Sequence, residues 1–462
     1  MKICHTKFDD VSAALNTMKI SRIAHAIQSA RVEPIATDAT GTQFYAFNNK
    51  FWKRVDLTDL AKEITTLFMD HDVDFEPRHV TNVISLLRWT SPKLPENTAG
   101  KLFFSNGVFD TTLLKLEPHN KTLGNTAILD FDYFETNDLE LNWARCPSFA
   151  AWLENLASDE QPKEVILAAL YMVLFNRYDW QLFLEISGKP NTGKSTFSQI
   201  CSHLVGADDW ESGDISNLEE PRERALIAGK RLIILPDLQQ YRGSARGLCK
   251  ITGNDAVSIN PKYLPQFSQP INAILVITNN IPMIIEDQTG AVDRRRVVIS
   301  CNKPLRKEEV DTEYFSKIRQ ELPHITNVIV NSFPDPEVAR KLLIQQRDSK
   351  IAFEQTYKDD SFWQFCSCLD VLETATGMHI GQDKLPSNNR IEWDPEKFLY
   401  HAYTEFLCSQ SHKLKEKVGI TKFSAYLTKY LKMMNKHFIK KRLSSGNITN
   451  LVFNKERQFD LQ

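Results

Sequence analysis

The chain has 462 residues, of which 42% are apolar and 25% are charged, and its formal net charge is −2. These values are typical of a globular protein with several domains, and they exclude a disordered or fibrous chain. A net charge near zero neither favours nor excludes a nucleic-acid partner, because local clusters of charge decide that question. No apolar run approaches the roughly 20 residues of a membrane span, and the N-terminus lacks the apolar segment of a signal peptide. We therefore expect a soluble, cytoplasmic protein with no membrane partner.

Residues 1–145 are predicted to form an α+β N-terminal domain. Helical spacing of apolar residues predicts helices over Leu57–Phe68 and Val80–Trp89, and alternation predicts strands within Phe103–Leu116. The acidic segment Asp70–Asp74 resembles the paired aspartates of a polymerising primase. It follows a helical segment rather than a strand, and no second metal-binding set is evident. Carboxylates in a loop at a helix end are therefore the better interpretation.

Residues 146–305 are predicted to form an α/β ATPase domain with a preceding helical segment. Three short apolar runs flanked by polar turns predict buried parallel strands, and these are Leu182–Ser187, Arg231–Leu235 and Ala273–Thr278. A helical connecting region is predicted over 306–390. The last domain, 391–462, is predicted to contain a basic helix and a hairpin.

The segment Gly188–Ser195 matches the phosphate-loop pattern Gly-x-x-x-x-Gly-Lys-Ser/Thr. It lies between a predicted strand and a stretch compatible with a helix, Thr196–Leu204, where backbone N–H groups and the helix N-terminus favour a phosphate. A chance match in a chain of this length has a probability of about 1–2%. We predict that the segment binds ATP through Gly188, Asn191, Thr192, Gly193, Lys194, Ser195 and Thr196.

Two later strands are predicted to end in polar residues that complete such a site. The run Arg231–Leu235 leads to Asp237, which would hold Mg²⁺ and orient water. Pro236 stands where a second acid is usual, so the catalytic base is less well defined. The next strand ends at Asn279, an amide that is typical of a γ-phosphate sensor, although such turns are also common after ordinary strands.

Three consecutive arginines, Arg294–Arg296, precede the apolar run Val297–Ile299. They are compatible with a solvated sheet edge. They are equally compatible with an arginine finger, whose planar guanidinium stabilises charge on the transferred phosphoryl group. A finger supplied by a neighbouring subunit would make hydrolysis depend on a ring.

This ordered set of motifs resembles the superfamily 3 helicases, within which the phage and plasmid primase-helicases, with the poxvirus-type NTPase, are the most similar branch. The set also includes Thr252–Asp255, which reads Thr-Gly-Asn-Asp. Outside the core, Phe104–Asp110 followed by Glu117–His119 is similar to the N-terminal signature of that family. Tyr400–Phe453 is similar to its C-terminal winged-helix region.

The resemblance implies an AAA-type P-loop core that binds ATP and Mg²⁺. The implied catalytic residues are Lys194, Asp237, Asn279 and, from the neighbouring subunit, Arg294 or Arg295. The implied metal ligands are Ser195 and Asp237. It further implies a homo-hexameric ring that moves 3′ to 5′ on single-stranded or forked DNA alongside a primase or other replication proteins.

Two segments are predicted to contact DNA. The resemblance places Lys250, Lys262 and Tyr263 in loops of the central channel, where a lysine beside an aromatic ring suits single strands. Between Ser411 and Arg442 there are ten Lys or Arg residues and one acid, with apolar residues at helical spacing. This pattern predicts a basic helix and a hairpin that bind phosphates through Lys440, Lys441 and Arg442. A plain solvated face is the alternative for both segments.

The sequence therefore favours an ATP-dependent, ring-forming DNA helicase that replicates a phage, plasmid or other mobile element. Two alternatives remain open. One is an RNA helicase or NTPase of an RNA virus. The other is a replication initiator that binds an origin and uses ATP as an assembly switch without processive unwinding. The arginine cluster favours a motor, since a pure switch does not need it.

Overall fold

The computed structural model describes most of the chain. The described residues are 8–38, 41–95, 100–134, 136, 138–159, 161–238, 240–241, 245–262, 265–280, 282–285, 290–301, 303–304, 312–349, 360–381, 393–409, 417–434, 436–444 and 446–459. They form two compact units, Met1–Asn280 with Ile285–Arg347, and Ile281–Ile284 with Asp348–Gln462.

The first unit begins with four helices and two antiparallel three-stranded sheets. The helices are α1 (Phe8–Asn16), α2 (Ile20–Ala30), α3 (Leu57–Asp70) and α4 (Pro77–Thr90). The strands are β1 (Ile35–Thr37), β2 (Phe44–Phe47), β3 (Trp52–Val55), β4 (Lys101–Phe104), β5 (Gly107–Asp110) and β6 (Lys115–Glu117). The predictions of α3, α4 and the strands around Phe103–Leu116 are confirmed. The sheet β1–β2–β3 was not predicted.

A helical layer follows, and it supplies much of the apolar core of the first unit. Its helices are α5 (Leu139–Ala144), α6 (Pro147–Leu156) and α7 (Lys163–Leu174). Every residue of α7 from Val165 to Leu174 is buried. A helix that is apolar on all sides has to lie inside the protein, which explains the long apolar run of the sequence.

The centre of the first unit is a five-stranded sheet in which all strands are parallel. The strands in this part of the chain are β7 (Phe183–Ser187), β8 (Trp210–Ser212), β9 (Leu232–Pro236), β10 (Gln240–Tyr241), β11 (Val257–Ile259), β12 (Phe267–Gln269), β13 (Ile274–Asn279), β14 (Ile284–Ile285) and β15 (Arg296–Ser300). The sheet has the order β15–β7–β13–β9–β8. The three predicted strands are thus confirmed as parallel neighbours, whereas β8 was not predicted.

Helices and short turns precede, connect or follow these strands. They are α8 (Lys194–Val205), α9 (Ile215–Glu219), α10 (Arg224–Ile227), α11 (Arg246–Thr252), α12 (Thr312–Ser332) and α13 (Pro336–Arg347), with 3₁₀ turns at Tyr178–Trp180 and Asp293–Arg295. The segment predicted as a connecting region, 306–390, therefore contributes α12 and α13 to the first unit and continues into the second.

The two faces of the parallel sheet carry different residues. Alternate residues such as Leu184, Ile186 and Val276 belong to the large apolar core. Because side chains alternate along a strand, the residues between them face the other way. Two of these, Glu185 and Asn279, are polar and yet fully buried.

The second unit has a small core rich in aromatic residues. Its elements are α14 (Ser361–Ser367), β16 (Leu369–Val371), α15 (Leu399–Ser409), α16 (Ile420–Met433), β17 (Lys440–Leu443), β18 (Gly446–Thr449), β19 (Leu451–Phe453) and α17 (Glu456–Phe459). Strands β17 and β18 form an antiparallel hairpin. Phe423 and Leu427 on α16 are buried in this core, which confirms the basic, core-packed helix and the hairpin.

Among the helices that the structure describes, none combines the length and the apolar character needed to cross a bilayer.

Candidate active site

The predicted phosphate loop connects β7 directly to α8. Gly188 has φ +151°, and a Cβ atom there would overlap the carbonyl oxygen of Cys301, so only glycine fits. Gly193, with φ +91°, forms the N-cap of α8. The side chain of Thr192 is buried, and its hydroxyl donates to the carbonyl oxygen of Lys189 at 2.7 Å. The loop therefore has a fixed backbone course that ends at a helix N-terminus, a place that favours anions.

Lys194 lies on the first turn of α8 and folds back over the loop. Its ammonium group donates to the carbonyl oxygens of Gly188 and Lys189, both at 2.6 Å. Burial lowers the pKa of Lys194, against smaller opposing effects of Cys301 and Asp237. The hydrogen bonds of the ammonium group go to loop carbonyls, and an incoming phosphate would have to replace them. Ser195, which is exposed, and Thr196, which is half-buried, follow on the same turn.

Asp237 follows β9 and is exposed. Its backbone adopts φ +53°, and its N–H donates to the carbonyl oxygen of Thr278 at 2.8 Å. This bond fixes the start of the turn next to the end of β13. The residue before it, Pro236, is paired with Thr278 in the sheet register.

Asn279 is the last residue of β13 and is fully buried. It lies opposite Ser187, the residue that precedes the phosphate loop, and its carbonyl oxygen accepts from the N–H of Gly188 at 3.2 Å. Since β13 lies between β7 and β9, the carboxyl ends of these three parallel strands bring Lys194, Asp237 and Asn279 to one edge of the sheet. Ligands of open parallel sheets bind at this edge.

A buried carboxylate that the sequence analysis missed lies behind this edge. Glu185, in the middle of β7, accepts from the side-chain amide of Asn279 at 2.9 Å and from Nε of Arg296 at 2.5 Å. Nη2 of Arg296 contacts the same carboxylate oxygen. The sequence did contain a signal for this pair. Glu185 lies within the predicted buried strand Leu182–Ser187, and a carboxylate in such a strand needs a partner.

The structure corrects the interpretation of the three arginines as one group. Arg296 is buried in the sheet and paired with Glu185, so it belongs neither to a solvated edge nor to a finger. Arg295 is half-buried and donates through Nη1 to the carbonyl oxygen of Ala291 at 2.7 Å. Arg294 is exposed, and its own carbonyl oxygen accepts from Arg347 at 2.8 Å. The chain leaves a 3₁₀ turn and enters β15 at this point, which directs the three side chains differently.

The segment between Asp237 and Asn279 contains the hairpin β11–β12. Lys262 lies between its strands and is exposed, as is Lys250 on α11. Tyr263 lies outside the described residues. Arg224 is buried and donates through Nη1 to the carbonyl oxygen of Ser258, which ties the hairpin to α10.

The second unit displays a basic hairpin. Lys440, Lys441 and Arg442 are all exposed on β17. Lys440 donates to the hydroxyl of Ser424 on α16 at 3.0 Å. The part of the basic run between 410 and 416 lies outside the described residues. The described residues place three cations at consecutive positions of one short strand.

The acidic segment Asp70–Asp74 lies at the C-terminal end of α3, as the sequence predicts. Its aspartates at 70, 72 and 74 are exposed. Within the described ranges, no three His, Cys, Asp or Glu side chains are grouped in a way that could hold a metal ion.

Comparisons with known proteins give one sequence family and several solved structures. A family described only as one of unknown function (DUF5906) matches residues 186–296. The phage P4 origin-binding domain is 25% identical to this chain, with a TM-score of 0.20, over 22% of this chain and 94% of that one. The apo C-terminal region of NrS-1 (305–718) is 12% identical, with a TM-score of 0.45, over 95% of this chain and 99% of that one. The A form of the same region gives 13% identity and a TM-score of 0.44, over 91% and 96%.

Proposed function

We propose that this protein is an ATP-dependent, ring-forming DNA helicase that acts in the replication of a phage, plasmid or other mobile element. One observation carries the proposal. The phosphate loop with Lys194, the carboxylate of Asp237 and the amide of Asn279 meet at the carboxyl edge of three adjacent parallel strands. This is the set of groups that phosphoryl transfer from a nucleoside triphosphate requires.

Each residue has a distinct part in this proposal. The N–H groups of the loop and the first turn of α8 hold the phosphates, and Lys194 places a positive charge on the β- and γ-phosphates. Ser195 and Asp237 both offer oxygen atoms, the donors that Mg²⁺ prefers. Mg²⁺ commonly takes only one or two protein ligands, with waters and phosphate oxygens for the rest. Bound there, the ion would neutralise charge on the phosphates.

In hydrolysis, water attacks the γ-phosphorus, the bond from the γ-phosphorus to the β–γ bridging oxygen breaks, and ADP leaves with that oxygen. One proton of the water stays on inorganic phosphate, and the other is released to solvent. Asp237 is the carboxylate after β9 that would orient the water, together with Asn279. Arg294 is the exposed arginine of the cluster, and we assign it as the finger that completes the site of a neighbouring subunit. A head-to-tail interface of this kind closes into a ring, and we propose a homo-hexamer.

The DNA contacts are assigned to two exposed basic elements. Lys262 on the β11–β12 hairpin, with Lys250 nearby in sequence on α11, would follow one strand through the ring. We assign the second unit to the winged-helix class, on the basis of α16 followed by the hairpin β17–β18. Its cations Lys440, Lys441 and Arg442 would bind phosphates largely without regard to sequence. A primase or another replication protein would act on the same DNA.

Unwinding of a forked duplex with a 3′ single-stranded tail tests the proposal. We expect strand separation that requires ATP and Mg²⁺ and that is lost in Lys194→Ala. ATP hydrolysis without any unwinding would instead favour the initiator that uses ATP as an assembly switch.

A further inference from the structure

Glu185 holds two partners with one buried carboxylate. It lies on β7 between β13 and β15, and it shares a sheet face with Asn279 and Arg296. Its oxygen Oε1 accepts from Asn279, and its oxygen Oε2 accepts from Arg296. Neither the carboxylate nor the amide is exposed to solvent. A paired carboxylate in such a place is held rigidly, since loss of one partner would leave a buried charge uncompensated.

This arrangement decides which end of the Asn279 amide faces Glu185. A carboxylate that is paired with an arginine accepts hydrogen bonds and donates none. The amide must therefore turn its NH₂ group toward Glu185, at 2.9 Å. Its oxygen Oδ1 is then directed elsewhere. That oxygen is buried and has no hydrogen-bond partner among the described residues.

A buried acceptor without a partner is costly and points to a ligand that satisfies it. Asn279 lies at the strand edge next to the phosphate loop, and its own carbonyl oxygen already accepts from Gly188. The side-chain oxygen Oδ1 of Asn279 is therefore an unsatisfied hydrogen-bond acceptor on a residue that adjoins the loop. An acceptor suits a water molecule, which can donate a hydrogen bond to it. It does not suit a phosphate oxygen, which itself needs a hydrogen-bond donor.

Resting on the function proposed above, we propose that Glu185 and Arg296 are positioning residues that fix the Asn279 amide so that Oδ1 accepts a hydrogen bond from the attacking water. Asn279 then orients the water and makes no donor contact to the γ-phosphate. The same carboxylate joins the strand that ends in Asn279 to the strand that follows Arg294. The orientation of the water is thereby linked to the segment that carries the candidate finger.

Glu185→Gln is the direct test, because glutamine keeps the size of the side chain and removes its charge. Its oxygen can accept from Arg296 while its NH₂ donates to Oδ1 of Asn279, which turns the amide around. We expect kcat for ATP hydrolysis to fall by about tenfold or more, with the Kd for ATP changed by less than about twofold. An unchanged kcat in the folded variant would overturn the inference.

Asp209→Asn is the matched control. Asp209 is also a buried carboxylate of the same sheet, where it precedes β8 and lies 3.8 Å from Arg231 at the start of β9. This pair lies at the amino ends of β8 and β9, whereas the phosphate loop follows the carboxyl end of β7. We expect Asp209→Asn to lower the thermal midpoint and to leave kcat unchanged. Equal loss of kcat in both variants would show that Glu185 is only structural and would overturn the inference.

A double variant separates positioning from folding. In Glu185→Gln with Asn279→Asp, the amide and the carboxylate exchange places, so Gln donates to Asp and the second Asp oxygen stays an acceptor. We expect the double variant to recover a substantial part of kcat relative to Glu185→Gln alone. Failure to recover it, or failure of both variants to fold, would overturn the inference. A wild-type protein that does not hydrolyse ATP would instead refute the proposed function itself.

Discussion

Gly188 lies directly against the backbone of Cys301, with no room for a side chain between them. The N–H of Cys301 donates to the carbonyl oxygen of Ser187 at 2.7 Å, which holds the end of β15 at the residue that precedes the phosphate loop. Burial raises the pKa of Cys301 to about 12, so its thiol is an inert packing group here. The loop is therefore positioned by a backbone contact that depends on one glycine.

Substitution of this glycine tests the contact. Gly188→Ala should displace the loop and abolish ATP binding, because the new Cβ overlaps the carbonyl oxygen of Cys301. Overpacking of this kind typically costs about 1–3 kcal/mol of folding free energy. Gly419→Ala is the control, since no atom lies within 4 Å of a Cβ built there. ATP affinity measured by titration calorimetry should be lost in the first variant and kept in the second. Normal affinity in Gly188→Ala would contradict the loop geometry.

Lys194 supplies the positive charge of the proposed site. Lys194→Ala should abolish hydrolysis and weaken ATP binding by at least about tenfold, because the phosphates lose their cation in a partly buried place. Lys230→Ala is a matched control. Lys230 precedes β9, away from the loop, and donates to the carbonyl oxygen of Asp208. Equilibrium binding of a fluorescent ATP analogue measures both variants. Equal affinities of Lys194→Ala and Lys230→Ala for the analogue would show that Lys194 does not bind the phosphates.

Single substitutions in the arginine cluster distinguish the candidate finger from a structural residue. Arg294→Ala should lower kcat by about 10³-fold while ATP binding is kept, as expected for a finger. Arg295→Ala should mainly lower the thermal midpoint, because Arg295 is half-buried and bonded to Ala291.

Mixing Arg294→Ala with Lys194→Ala distinguishes a finger in trans from one in cis. The first variant keeps an intact phosphate site and the second keeps an intact finger. Mixed rings should therefore regain part of the hydrolysis that each variant lacks alone. No recovery, in mixtures shown by mass to contain both chains, would contradict a shared site.

The basic hairpin β17–β18 should dominate binding by the second unit. Replacing Lys440, Lys441 and Arg442 together with alanine should weaken affinity for single-stranded DNA. It should also reduce the slope of log K against log salt by up to about 2, at roughly 0.7 for each lost phosphate contact. Lys455→Ala is the control, since Lys455 is paired with Glu396 at 3.3 Å. A salt slope that stays unchanged in the triple variant would assign the hairpin to a solvated face.

The strands that carry the site could be predicted because of how they are buried. Strands β7, β9 and β13 are covered on both faces, so they are continuous apolar runs in the sequence. Strand β8 is short and only partly buried, and it gives no comparable signal. The order of the strands depends on which runs pair, and the sequence does not contain that information locally.

The pairing of Glu185 with Arg296 could not be predicted for a related reason. The two residues are 111 positions apart, and their contact depends on the register of β7 against β15. The sequence likewise does not show which of the three adjacent arginines is buried and which is exposed. Only the change from a 3₁₀ turn to a strand at Arg296 separates the buried residue from the exposed Arg294.

The most direct test of the central claim is the steady-state rate of ATP hydrolysis by the purified protein, with and without single-stranded DNA. We expect Mg²⁺-dependent hydrolysis that single-stranded DNA stimulates, with loss of the stimulation in Lys262→Ala. A protein that binds no ATP, or that hydrolyses it at a rate equal to that of Lys194→Ala with and without DNA, would contradict the account.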